Sequence, residues 1–385
     1  MSEQLDALLA ETHASRVFGD TFAGEDPRAA SEWAQTHLGT LAAQTAAETI
    51  AMIAPSRSDW SKTAIVQEAQ QSTLKTTAFG IALTGGRVQN PDLLVRFGAA
   101  VNGMYWGNDQ VDGGGPVADA TIDAISLLLG TDRARLSGPN HEQSVQARLA
   151  ALRHIATNIR LFALPEDAPY VVDCFYGQVL GNEVDVQLLS RGYAAAADRS
   201  AFLTAHGAKF AEHSTVSAGF PSISSGLYSI YRRQEPLPPL SEVYDSEHMT
   251  ELLQVSNVFA RLLDELGDSP KDGRGLDASG AASNTFVLNA FNQYDPGIVE
   301  RYCELACIPQ DERAAMHEAI ANFHGNEAVA SRRVIAALCA HIKRFYAELP
   351  PDVRAHFKEY IGVAKRVGEI SLVNVLGDEA LQPKR

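Results

Sequence analysis

Cysteine pairs at metal-binding or redox spacing are missing. The four cysteines present, Cys174, Cys303, Cys307 and Cys339, include no CxxC, which excludes a zinc ribbon and a disulfide framework. Long apolar runs are missing too, since nothing approaches the roughly 20 residues that span a bilayer. The opening MSEQLDALLAETHASR has no basic stretch followed by an apolar one. The expectation is therefore no signal peptide, no membrane insertion and a cytoplasmic location. Basic residues are outnumbered, 32 Lys and Arg against 47 Asp and Glu, for a formal net charge of -15. That balance argues against nucleic acid, whose phosphates attract basic surfaces. It leaves room for a phosphorylated small molecule, because divalent cations can lie between acidic side chains and phosphate oxygens. GxxxxGK(S/T), GxGxxG after a strand, GxSxG and HExxH do not occur either, which removes the usual nucleotide, hydrolase and zinc-protease signatures.

What is present is helical pattern. DLLVRFGAAVNGMYW (92–106), EHMTELLQVSNVFARLLDEL (247–266) and SRRVIAALCAHIKRFYAEL (331–349) repeat apolar residues every three or four positions, as amphipathic helices do. APYVVDCFYGQVL (168–180) reads equally as a strand or as a buried helix. Helix stops rich in Gly, Pro and Asp fall at 54–59, 107–116, 164–169, 235–240, 267–275 and 349–352, leaving about ten helices between them. None of these is long enough for an interdomain linker. The expectation is an all-α chain with one domain over 1–385, in which residues 1–50 form a partly ordered N-terminal extension.

Two acidic clusters stand at predicted helix ends. In GNDQVDGGGP, Asn108 and Asp112 are four apart, about 40° round a helix and one turn along. An ordinary C-terminal stop accounts for this pattern. A calcium loop accounts for it less well: its first position lacks aspartate and its twelfth would be Asp119 instead of glutamate. In RLLDELGDSPKDGRG, Asp264, Asp268 and Asp272 step along one face, fanning through about 80° over about 12 Å. That face is either solvated or a magnesium site, with Arg274 beside it as a cation for phosphate. If Asp268 caps a new helix with Pro270 in its first turn, a kink replaces the even fan.

Together the clusters resemble the paired metal motifs of class I terpene synthases. NDQVD (108–112) is similar to the family's DDxxD, with Asn108 in the leading place and Asp109 and Asp112 following. DELGDSPKD (264–272) is similar to DDxxTxxxE, within ARLLDELGDSPKDGRG, which resembles RLxDDLGTSxxExxRG. KFAEHSTVSAGF (209–220) resembles EYLxxxxxSxG, a helix broken beside the substrate, with Ser217 and Gly219 on its Ser and Gly. AKRVGEISLVNVLGDE (364–379) resembles NLARxxxxxYxxGDG, with Arg366 on the family's arginine and Asp378 in its closing loop. The likeness covers about residues 75–380, with four motifs in order.

The resemblance implies a single α-helical bundle of the class I isoprenoid synthase type around a central apolar cavity. It implies Mg2+, three ions in the family with Mn2+ as a substitute, held by Asn108, Asp109, Asp112, Asp264, Asp268 and Asp272. Asp109, Asp112, Asp264, Asp268 and Asp272 then serve catalysis, while Arg274, Arg366, Ser217 and Gly219 contact substrate. Phe79, Tyr105, Trp106, Phe220 and Tyr228 are candidates to line the cavity, with plain core packing as the alternative for each. The implied substrate is a prenyl diphosphate, with the plant-like motif favouring C20, either geranylgeranyl diphosphate or a labdane-type bicyclic diphosphate. The latter would come from a class II diterpene cyclase as metabolic partner; a homodimer is also within the family's habits.

Departures from the pattern matter. Asn108 stands where the family has aspartate, and a neutral amide is a poorer Mg2+ ligand, so either Asn108 or Asp109 leads. Asp272 is one methylene shorter than the family's glutamate. Arg57, Lys75, Arg87 and Arg96 are all candidates for the upstream basic residue. DxDD is missing, so the reaction would begin with loss of diphosphate. A chain-elongating prenyltransferase would need two intact DDxxD motifs. The reading from another class is a non-catalytic helical binding or scaffold protein of the same fold.

Overall fold

A computed structural model describes residues 27–54, 61–67, 90–112, 141–182, 192–193, 196–272, 296–321 and 327–376, with single positions 69, 80, 84 and 88. Within the helices, 27–35, 108–112, 141–149, 216–217, 266–272, 327–335 and 372–376, with single positions 38, 53, 180, 182, 319 and 370, are described by backbone alone. Among the described residues there is no strand. The helices are α1 (Pro27–Ile53), α2 (Pro91–Asp112), α3 (His141–Phe162), α4 (Ala168–Asn182), α5 (Arg199–Ser217), α6 (Phe220–Arg232) and α7 (Leu240–Asp245). They continue as α8 (Glu247–Asp272), α9 (Pro296–Leu305), α10 (Gln310–Ala321), α11 (Glu327–Glu348), α12 (Pro351–His356) and α13 (Lys358–Leu376). None of them, over the described residues, is long and apolar enough to cross a membrane.

The stretch 168–180 resolves as helix. Val171, Phe175 and Val179, spaced by four, are all wholly buried on one face of it; a strand would also put that spacing on one face, which is why the sequence reads both ways. α8 runs unbroken through Pro270 to Asp272, so no new helix begins at Asp268. Proline there forgoes one backbone hydrogen bond and crowds the carbonyl four residues back, and the helix is described for only two residues beyond it.

α6 is the centre of the molecule. It packs against α13, α4, α8, α2 and α3, and every residue from Ser222 to Tyr231 is buried. Gly226 permits this, because a Cβ there would stand 2.8 Å from Phe97 Cε2 on α2. Four serines in a buried helix need partners, and each has one. Ser222 donates to the Cys174 carbonyl and Ser224 to the Phe220 carbonyl. Ser225 meets the hydroxyls of Tyr244 and Tyr360 at 2.7 and 3.1 Å, while Ser229 donates to Asp167 Oδ2 at 3.2 Å. One core cluster extends from Leu41 on α1 to Val367 on α13; fully burying each large apolar side chain contributes about 1.5–3 kcal/mol.

Farther out, His341 on α11 is buried, and its Nε2 donates to the Ala306 carbonyl at 2.6 Å. Its Nδ1 has no hydrogen-bond partner among the described residues. A second proton would need an acceptor that is not at hand, and burial accordingly holds the imidazole below its ordinary value of 6.5. The unfolded chain takes up that proton first as pH falls, so the stability is present above the ordinary histidine value and lost below it. Urea midpoints should therefore drop from about pH 7.5 to about pH 5.5, and His341→Gln, which keeps a donor for Ala306, should flatten part of that drop. An unchanged slope in the variant would assign it to other groups.

Candidate functional site

Asp264 and Glu265 are neighbours on α8 and face in different directions. The Asp264 side chain is 61% exposed and lies 4.0 Å from Arg261 Nη1. Glu265 is 2% exposed; its Oε1 accepts from Arg261 Nε at 2.9 Å and from the Tyr302 hydroxyl at 3.0 Å. Tyr302, on α9, in turn meets Ser214 Oγ on α5 at 2.5 Å. Successive residues on a helix point about 100° apart, which is why one acid of the pair anchors the helix while the other meets water. Asp268 and Asp272 continue the Asp264 row on the same unbroken helix.

The α5–α6 junction is a true helix break. Ser217 ends α5, Ala218 closes it through a bond to the Thr215 carbonyl, and Gly219 takes φ 74° before α6 begins. That left-handed conformation suits glycine alone without strain, and a Cβ there would also stand 2.5 Å from Gln178 Nε2 on α4. Beside Gln178, Val179 lies against Gly107 on α2, 3.2 Å from where a Cβ would be. A single turn of α4 thus holds the break on one side and, on the other, the residue just before Asn108, Asp109 and Asp112. Ser214, five residues before Gly219, joins the break to Glu265 through Tyr302. Gly107 on α2 and Glu265 on α8 are thus each linked, through one or two residues, to the segment that leads into α6.

Other expected residues fall elsewhere or partly so. Arg366 on α13 is buried, and its Nη1 donates to the Tyr231 hydroxyl at 3.0 Å, in the last turn of α6. Burial pushes its guanidinium down to about 10. Phe220 and Tyr228 are wholly buried; Tyr228 donates to the Pro238 carbonyl at 2.9 Å and its ring sits edge-on to Tyr360, as core residues do. Tyr105 and Trp106 differ from the expectation that both line one chamber with these. Tyr105 is 42% exposed, and Trp106 packs in a separate small cluster with Met52, Ile65 and Ala151. Adjacent helical residues cannot share a face. Phe79 and Arg274 lie outside the described residues, as do the side chains of Asn108, Asp109, Asp112, Ser217, Asp268 and Asp272.

Among the described residues no three His, Cys, Asp or Glu side chains converge on a point that could hold an ion. The donors on offer along the acidic row are carboxylate oxygens, which suit Mg2+ or Mn2+ better than softer metals. Asp264 is accessible enough to turn toward such an ion, whereas Glu265 is committed to Arg261 and Tyr302. Sequence reasoning missed Tyr302, Ser214 and Gln178; only the Arg261–Glu265 pair carried a local signal, the i,i+4 spacing of opposite charges. Compared with known proteins, the chain matches no family model and no curated protein.

Proposed function

We propose that the protein is a class I terpene synthase, ionising a prenyl diphosphate and guiding the resulting carbocation to a terpene. The reading is supported by one observation: Gly107, next to Asn108, and Gly219 at the break pack against the adjacent residues Val179 and Gln178, while Glu265, next to Asp264, is tied through Tyr302 to Ser214 on the helix leading into that break. Asp109, Asp112, Asp264, Asp268 and Asp272, with Asn108, are the residues that would hold Mg2+. When bound, Mg2+ supplies positive charge against which the departing diphosphate is stabilised.

The chain's own groups do the remainder. Asp264 offers a carboxylate from an accessible face, while Arg261 and Tyr302 keep Glu265 out of competition for the ion. Arg274 would add charge-assisted hydrogen bonds to phosphate oxygens, whereas Arg366, buried against Tyr231 in the last turn of α6, lies away from the break and serves the core. The apolar side chains around α6 exclude water, so that the cation rearranges before it is quenched. A C20 diphosphate, linear or bicyclic, is the proposed substrate, a class II cyclase being the source of the bicyclic one. Incubation with C10, C15 and C20 diphosphates and Mg2+, followed by gas chromatography, tests this; no terpene from any of them would refute it.

A second reading has its own observation. Every residue of α6 from Ser222 to Tyr231 is buried, and with Asn108 in the leading metal position this favours a helical binding or scaffold protein that performs no turnover. Thermal melts separate the two. A site that binds Mg2+ and pyrophosphate raises the midpoint, by about 2.7 kcal/mol of stability at 100 Kd, and no shift at millimolar ligand would favour the binding protein.

A further inference from the structure

We propose that Tyr302 is a positioning residue for the acidic face of α8, acting through Glu265; this rests on the function proposed above. Its hydroxyl is buried on α9 and reaches two other helices at once. Its single proton goes to the Glu265 carboxylate, the stronger acceptor, so Ser214 is the donor across the 2.5 Å contact, with the Ala211 carbonyl at 3.3 Å as its alternative. Glu265 Oε1 thus receives two donors. Arg261 belongs to α8 itself and moves with it. Tyr302 comes from α9, so it sets how α8 is turned relative to the body of the protein.

That rotation has consequences for Asp264, Asp268 and Asp272. Asp264 lies about 100° round the helix from Glu265, and the other two follow at about 40° steps. Holding Glu265 inward fixes where the whole row points. Ser214 extends the tie to the final turns of α5, immediately before the break at Gly219. One phenolic oxygen therefore connects the break to the acid-bearing helix, as groups behind metal ligands orient the ligands themselves.

Tyr302→Phe and Ser214→Ala in the full chain test this, read by initial rates against Mg2+ concentration with whichever prenyl diphosphate the wild type turns over. Melts with MgCl2 and inorganic pyrophosphate accompany the rates. The half-saturating Mg2+ concentration should rise about 10-fold or more in Tyr302→Phe, with a smaller fall in the saturating rate. Ser214→Ala should move it the same way by a lesser factor. Lower melting midpoints with an unchanged Mg2+ curve would overturn the role for Tyr302, leaving only a structural one. Should Tyr302→Phe fail to fold, Ser214→Ala decides by the same two outcomes. A wild type that neither turns over any diphosphate nor melts higher with Mg2+ and pyrophosphate would overturn the proposed function, and this role with it.

Discussion

Asp264→Ala is expected to lower diphosphate turnover by about 100-fold or more while leaving the melting midpoint nearly unchanged. The side chain is 61% exposed and its ion pair with Arg261 is stretched to 4.0 Å; exposed pairs of that kind are worth about 0–1 kcal/mol. Its removal takes away a proposed donor for Mg2+ without opening the core. The residue next to it behaves oppositely. Glu265→Ala takes from the Arg261 guanidinium, whose side chain is 7% exposed, its 2.9 Å carboxylate and from Tyr302 its acceptor, and breaking a buried pair from one side costs about 3–5 kcal/mol. Initial rates of pyrophosphate release and thermal melts on both variants supply the comparison. Asp264→Ala retaining wild-type turnover would remove α8 from the catalytic site.

That contrast also marks how far a sequence can be read. Helix class was legible because long segments such as 247–266 repeat their apolar residues at helical spacing, and the stops at 54–59, 164–169 and 349–352 fall where helices end. Within the stop at 267–275, α8 continues through Pro270 and runs to Asp272. α6 was harder. FPSISSGLYSIYR has four serines and reads as half polar, yet it is the buried centre, because Cys174, Tyr244, Tyr360 and Asp167 satisfy those hydroxyls from remote parts of the chain. The acids show the same limit. The i,i+4 spacing pairs Arg261 with Glu265 but does not say that this acid is buried; Tyr302, on another helix, is the partner it meets inside. Periodicity reports which residues share a face, and only tertiary partners report what that face meets.

A loss of stability as large as that at Glu265 is expected at Asp167, far along α6 from Gly219. Wholly buried at the start of α4, its Oδ1 accepts from Arg232 Nη1 and from the Leu240 amide at 3.1 Å, and its Oδ2 from Ser229 Oγ at 3.2 Å. These donors come from the last turns of α6 and the first residue of α7, so a single carboxylate ties α4, α6 and α7. Asp167→Ala leaves an amide, a hydroxyl and a cation without it. The Arg232 side chain is only 10% exposed, and its other carboxylate, Glu166, is 3.4 Å away and more than half exposed, too solvated to compensate. The cost should be about 3–5 kcal/mol, a large part of the 5–15 kcal/mol typical of a domain. Asp167→Asn, which keeps one acceptor oxygen and loses the charge, should fall between. Urea titrations should show lower midpoints at unchanged slope; a midpoint within about 1 kcal/mol of wild type would mean the carboxylate is not the tie. Because this anchor holds the end of α6 opposite Gly219, turnover measured well below the lowered midpoint should stay near the wild-type rate. Stability and catalysis would then separate along a single helix, its last turn anchoring the fold and its first turn serving the reaction.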